Sequence, residues 1–154
     1  MNPFKSFLKQ QQGKVGSSFR LGRIMGIPIY LHLSWFIIFA LVTVSLSQFY
    51  FRQSYPNWDI TLRWVVGIFT SLLFFASVVF HELSHSWFSQ RQGIPVRSIT
   101  LFIFGGVARI SRESPRPMEE LTMAAAGPIS SLVLAGLFTL MWWLVGPYSE
   151  PVSA

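Results

Sequence analysis

Cysteine is absent, so disulfides, thiolate metal sites and cysteine nucleophiles are excluded together. Charge is scarce as well: 12% of the 154 residues are Asp, Glu, Lys or Arg, about half of what soluble domains carry. Acids are the scarcer sign, 6 against 12 Lys and Arg, and Asp59 is the single aspartate. Low charge combined with 15 Phe and 6 Trp excludes a disordered or collagen-like chain and disfavours an ordinary soluble enzyme. No internal repeat occurs, and the one compositionally biased stretch is the polar run from Lys9 to Ser18. Residues 1–18 therefore read as a flexible basic arm ahead of a single core over residues 19–154.

The charge that is present avoids three long tracts. From Ile27 to Leu46 there is no Asp, Glu, Lys or Arg and one His, a run long enough to cross a hydrocarbon core. From Trp64 to Phe80 the sequence is uncharged, and its helical pattern continues until Gln92-Gly93 and Pro95 signal a turn. From Leu121 to Val145 it is uncharged again, ending in Trp142 and Trp143 as an interfacial aromatic pair before Gly146-Pro147. One such run suits the core of a soluble protein, but three in so short a chain leave almost nothing to cover them. The expected fold class is an α-helical polytopic membrane protein of about three transmembrane helices.

Lys and Arg resist translocation and collect on the cytoplasmic side. Lys5, Lys9, Lys14, Arg20 and Arg23 precede the first span, Arg52 and Arg63 lie between the first and second, and Arg91, Arg97, Arg109, Arg112 and Arg116 lie between the second and third. This asymmetry predicts a cytoplasmic N-terminus, with the first span acting as an uncleaved signal anchor, because no small-x-small cleavage site follows it. Topology and attraction to anionic lipid account for the net charge of +6, and no basic and aromatic motif for nucleic acid is present.

Between the second and third spans the pattern changes to alternation. Strands are expected at Val96–Phe104 and Val107–Ile110, with Gly105-Gly106 as the hairpin turn. A further extended stretch is expected from Phe19 to Ile29, where Gly22, Gly26 and Pro28 oppose helix. The two pieces suit one small membrane-associated sheet at the cytoplasmic interface, since lipid does not tolerate unpaired backbone.

At the end of the second span stands His81-Glu82-Leu83-Ser84-His85. Positions four apart share a helix face, so both imidazoles reach one metal ion, and Glu82 lies close enough to take a proton from water held there. Neutral imidazole suits Zn2+, which needs three protein ligands and one open position to polarise a peptide carbonyl. Random placement gives this pattern in about two chains per thousand of this composition, and ionisable groups within a spanning helix are costly unless they serve a function.

The chain resembles the site-2 protease family of intramembrane zinc metalloproteases, in its prokaryotic branch. The resemblance rests on Gly22 to Ile29 with His32, Ser34 and Trp35, on His81 to His85, on Phe104-Gly105-Gly106-Val107-Ala108 and on Ala126 to Ser131. It implies that His81 and His85 are zinc ligands and Glu82 the general base. It also implies that the strands form a platform for an extended substrate, and that the substrates are transmembrane segments of membrane-tethered regulators in a bacterial plasma membrane. Gly105, Gly106, Gly127, Ser131 and His32 become candidate substrate-contacting residues. Gly127 and Ser131 are four apart, a spacing that lets helices approach, and Ser131 stands where the family has Asn or similar. Pro128 is expected to kink the third span and free backbone carbonyls there. Glu119 and Glu120 suit the positive end of that helix dipole rather than a metal.

One departure is decisive. The family's third ligand is an Asp on a following membrane segment, whereas Asp59 falls in the loop between the first two spans, on the opposite side of the membrane from the motif. The expectation is that the chain is the N-terminal portion of a longer protease. The competing readings are an inactive relative that holds a transmembrane partner, and a metal transporter built on His32, His81, Glu82 and His85; the latter gives the Gly-Gly and Ala-Gly-Pro motifs no role.

Overall fold

The computed structural model describes residues 18–110 and 116–145; of the arm expected over residues 1–18, residues 1–17 lie outside them and Ser18 opens the first strand. Strands β1 (Ser18–Ile24) and β2 (Ile27–His32) lead into helix α1 (Leu33–Ser54). Helix α2 (Ile60–Arg91), strands β3 (Val96–Phe102) and β4 (Gly105–Ile110) and helix α3 (Pro117–Val145) follow. All three helices are long and apolar enough to cross a membrane.

The first span is shorter at its start than the apolar run suggests. Ile27–His32 is strand, because Pro28 has no N–H for a helix and the alternation of buried Ile27, Ile29 and Leu31 matches the period of a sheet. Helix begins only at Leu33, where His32 caps it by accepting the Ser34 N–H at Nδ1, 3.2 Å. It then runs past Leu46 to Ser54, widening to π-helical turns over Ser45–Tyr50.

The sheet has the order β1-β2-β3-β4, antiparallel at both edges and parallel between β2 and β3, where α1 and α2 form the crossover. The β1–β2 connection is a two-residue turn with positive φ at both Met25 (53°) and Gly26 (79°), the geometry that matches strand twist. The β3–β4 turn corrects the sequence reading. Ile103-Phe104 make the turn, and Gly105 (φ 120°) and Gly106 already pair with Phe102 and Leu101. A register shift between Val96 and Ser98 resets the alternation, so Val96, Ile99 and Leu101 all face the core.

That core is Ile27, Ile29, Leu31, Val96, Ile99 and Leu101, covered by Trp35 of α1 and by Val79 and Leu83 of α2. The sheet therefore rests against the last third of α2. On its other flank α2 approaches α1 through Gly67, where a Cβ would run into Ser47 Oγ, and through a Thr43 Oγ1 to Ser71 Oγ hydrogen bond of 2.9 Å. The chain leaves α2 at Gly93 (φ 73°): Gly93 N–H donates to Gln90 O and Ile94 N–H to Ser89 O, each at 3.0 Å, and Pro95 prevents resumption. Gln92 Nε2 then donates to Glu119 O (3.0 Å) and Thr122 Oγ1 (2.8 Å), tying the end of α2 to the start of α3.

Candidate metal centre

His81, Glu82 and His85 occupy adjacent turns of α2 where sheet and α3 both close on it. The two imidazoles turn toward α3, and their Nε2 atoms face each other at 3.1 Å. His85 Nδ1 lies 2.7 Å from the Met123 carbonyl, an acceptor only, so that Nδ1 carries the proton and Nε2 keeps its lone pair. His81 Nδ1 lies 2.8 Å from Ser131 Oγ, which accepts in the same tautomer. Both rings are thus held from behind, the arrangement by which outer hydrogen bonds aim imidazoles at a metal.

Gly127 makes the space between them. A Cβ there would collide with His85 Nε2 and sit 2.6 Å from His81 Nε2. Gly106 does the same for the carboxylate: a Cβ on it would overlap Glu82 Cγ and lie 2.8 Å from Cδ and 3.1 Å from Oε1. The two sites flank the motif from opposite elements, α3 behind the histidines and β4 beside the glutamate.

These residues fit zinc. Two nitrogens bound at about 2.0–2.1 Å to a tetrahedral ion stand about 3.3 Å apart, close to the observed separation. Both lone pairs face a space that only glycine leaves open. Among the described residues no third His, Cys, Asp or Glu joins the pair. Asp59 caps the other end of α2, accepting the Thr61 N–H at 2.8 Å, and that bond holds its carboxyl below the usual carboxylate range.

Of the further residues singled out from the sequence, Gly106, Gly127 and Ser131 come together at this centre, and Gly105 adjoins it as the first residue of β4. His32 does not join the histidine pair. It caps α1 and lines a cavity of about 260 Å³ with Ser34, Thr100, Phe102 and Arg109. Its Nδ1 is 2.8 Å from Ser34 Oγ, which accepts the Ile103 N–H at 3.2 Å and so fastens the β3–β4 turn to the start of α1. The Met123 carbonyl is a contributor the sequence gave no means to find, since every residue carries one. Glu119 and Glu120 sit in the first turn of α3, as expected.

The chain is similar to known proteins. Residues 69–149 match the model of Peptidase family M50. The chain is 47% identical over 120 residues to a candidate zinc metalloprotease of Synechocystis sp., covering 78% of this chain and 31% of that protein. It is 34% identical over 118 residues to the candidate zinc metalloprotease Rip3 of Mycobacterium tuberculosis, covering 77% and 30%. A solved structure, the site-2 protease from Methanocaldococcus jannaschii, superposes with a TM-score of 0.61 at 32% identity, over 82% of this chain and 52% of that one. The chain thus spans about a third of the length of the curated relatives it matches. Family, fold and apolar helices make it a membrane protein, and the chain belongs to Peptidase family M50, the site-2 protease family of zinc metalloproteases.

Proposed function

We propose that this chain supplies two zinc ligands, His81 and His85, and the general base, Glu82, of an intramembrane endopeptidase. The single observation that carries the reading is the convergence of the two Nε2 atoms at 3.1 Å over Gly127, with both Nδ1 atoms already engaged. Zinc held there supplies Lewis-acid polarisation of a peptide carbonyl and acidifies water at the site. Glu82, next to His81 and beside Gly106, accepts the proton of the attacking water and passes it to the leaving amine. The third ligand comes from outside the described residues.

The substrate is a transmembrane segment of a membrane-tethered regulatory protein, locally unwound. Strand β4 lies at the edge of the sheet, so an extended segment adds to it by main-chain hydrogen bonds and passes Gly105 and Gly106 on its way to Glu82. The basic residues at the end of α2 and in the sheet support a reading in which this end of the helices, and the N-terminus, face the cytoplasm, with the bacterial plasma membrane as the proposed location.

Metal analysis of the native gene product, purified from its own membrane, tests the ligand assignment. One zinc per chain is expected, with His81→Ala and His85→Ala each losing it along with cleavage of a tethered transmembrane substrate. Full zinc retention by the double variant would contradict the reading.

A further inference from the structure

A second feature of the α2–α3 pair faces away from the histidines. The imidazoles meet Met123, Gly127 and Ser131 of α3, whereas the neighbouring stripe, Thr122, Ala126, Ile129 and Ser130, joins Leu83, Trp87 and Phe88 of α2 in walling a groove of about 540 Å³. That volume is within the range of about 300–1,000 Å³ typical of small-molecule sites. Met25, held outward by the positive-φ turn between β1 and β2, closes one side.

The groove is walled almost wholly by apolar groups. Its three hydroxyls are spent on their own helices: Ser84 Oγ donates to Phe80 O (2.8 Å), Ser130 Oγ to Gly127 O (2.7 Å) and Thr122 Oγ1 to Glu119 O (2.9 Å). An apolar chain is the occupant such walls admit. At the mouth, one turn beyond, the Arg91 guanidinium stacks on the face of Trp87, 4.0 Å from the ring centroid. Arg91 is exposed, and among the described residues it makes no ion pair with a carboxylate. Stacking fixes the guanidinium plane while leaving its N–H edge open, the presentation that grips a phosphate oxygen pair. The same end of the molecule carries exposed Arg23, Arg97 and Arg109, with Arg116 paired to Glu119 at 3.7 Å, a surface of net positive charge complementary to anionic headgroups.

We propose that this groove is a binding site for one anionic phospholipid, an acyl chain lying between Leu83, Trp87 and Ile129 and the phosphate paired with Arg91. The site is separate from the metal centre and does not depend on peptidase chemistry.

Trp87 reports on it directly. The native protein is reconstituted in phosphatidylcholine vesicles containing phosphatidylglycerol, with acyl-chain bromine on one lipid or the other. The Trp87 contribution is the difference in quenching between wild type and Trp87→Phe. Brominated phosphatidylglycerol, at equal mole fraction, is expected to quench it several-fold more than brominated phosphatidylcholine. Arg91→Gln should abolish the preference, Arg91→Lys should restore part of it, and Arg116→Gln should leave it intact. Ile129→Trp, which fills the groove without touching Arg91, should lower the amount of phosphatidylglycerol that co-purifies. Equal quenching by both lipids would mean bulk lipid contact only, and quenching by neither would mean that protein covers the groove; either result overturns the proposal.

Discussion

Gly127 lies against His85 so closely that any side chain on it would occupy the place where His85 Nε2 meets His81 Nε2. The helix therefore contributes to the centre by what it omits. Gly127→Ala is expected to lower zinc affinity by at least about tenfold, in line with the loss seen when the surroundings of metal ligands are disturbed. Competition with a chelator measures it; unchanged affinity would show that the metal lies elsewhere.

Gly106 makes the matching prediction for the carboxylate. A methyl group there displaces Glu82 and leaves the imidazoles alone. Gly106→Ala should keep full zinc while lowering kcat by about a hundredfold, the scale of a misplacement near 1 Å. Loss of zinc in parallel with rate would mean that the strand supports the whole site rather than Glu82.

Ser131 holds His81 Nδ1 at 2.8 Å, and the hydroxyl is the part that matters. Ser131→Ala is expected to weaken zinc binding by about 10–100-fold, and Ser131→Asn, which keeps an acceptor, should recover most of it. Equal loss in both variants would assign Ser131 a packing role.

Asp59 concerns stability rather than chemistry. Its carboxylate accepts the Thr61 N–H, and that bond depresses its pKa in the folded state relative to the unfolded chain. The cap therefore stabilises fully above the unfolded carboxylate pKa of about 3.9 and loses its effect as pH falls through the lower folded value. Thermal melts of Asp59→Ala should lie below wild type at pH 7 and converge with it at strongly acidic pH. A constant difference at all pH values would count against the charged cap.

Much of this was legible in the sequence, and the parts that were not have physical causes. The spans announced themselves because charge is excluded from lipid, and His81, Glu82 and His85 because helical spacing places them together. The boundary at Leu33 was hidden: strand and helix are equally apolar on either side of it, so one uncharged run from Ile27 to Leu46 conceals the change. The β3–β4 turn was displaced by two residues because an apolar pair, Ile103-Phe104, does what glycines usually do, while Gly105-Gly106 serve pairing and clearance. The clearances at Gly106 and Gly127 are tertiary, and the Met123 carbonyl belongs to a backbone that sequence cannot single out. The His32 cap on α1 is local, through the Ser34 N–H, whereas the Ile103 N–H that links Ser34 to the β3–β4 turn is distant in sequence.

The most direct test of the peptidase account separates metal from base. The native gene product and its Glu82→Gln variant are reconstituted with a tethered transmembrane substrate, and zinc content and cleavage are measured on the same samples. The account predicts equal zinc in both and cleavage reduced by about 10²–10⁴-fold in the variant. Cleavage at the wild-type rate by a zinc-loaded Glu82→Gln protein would contradict it.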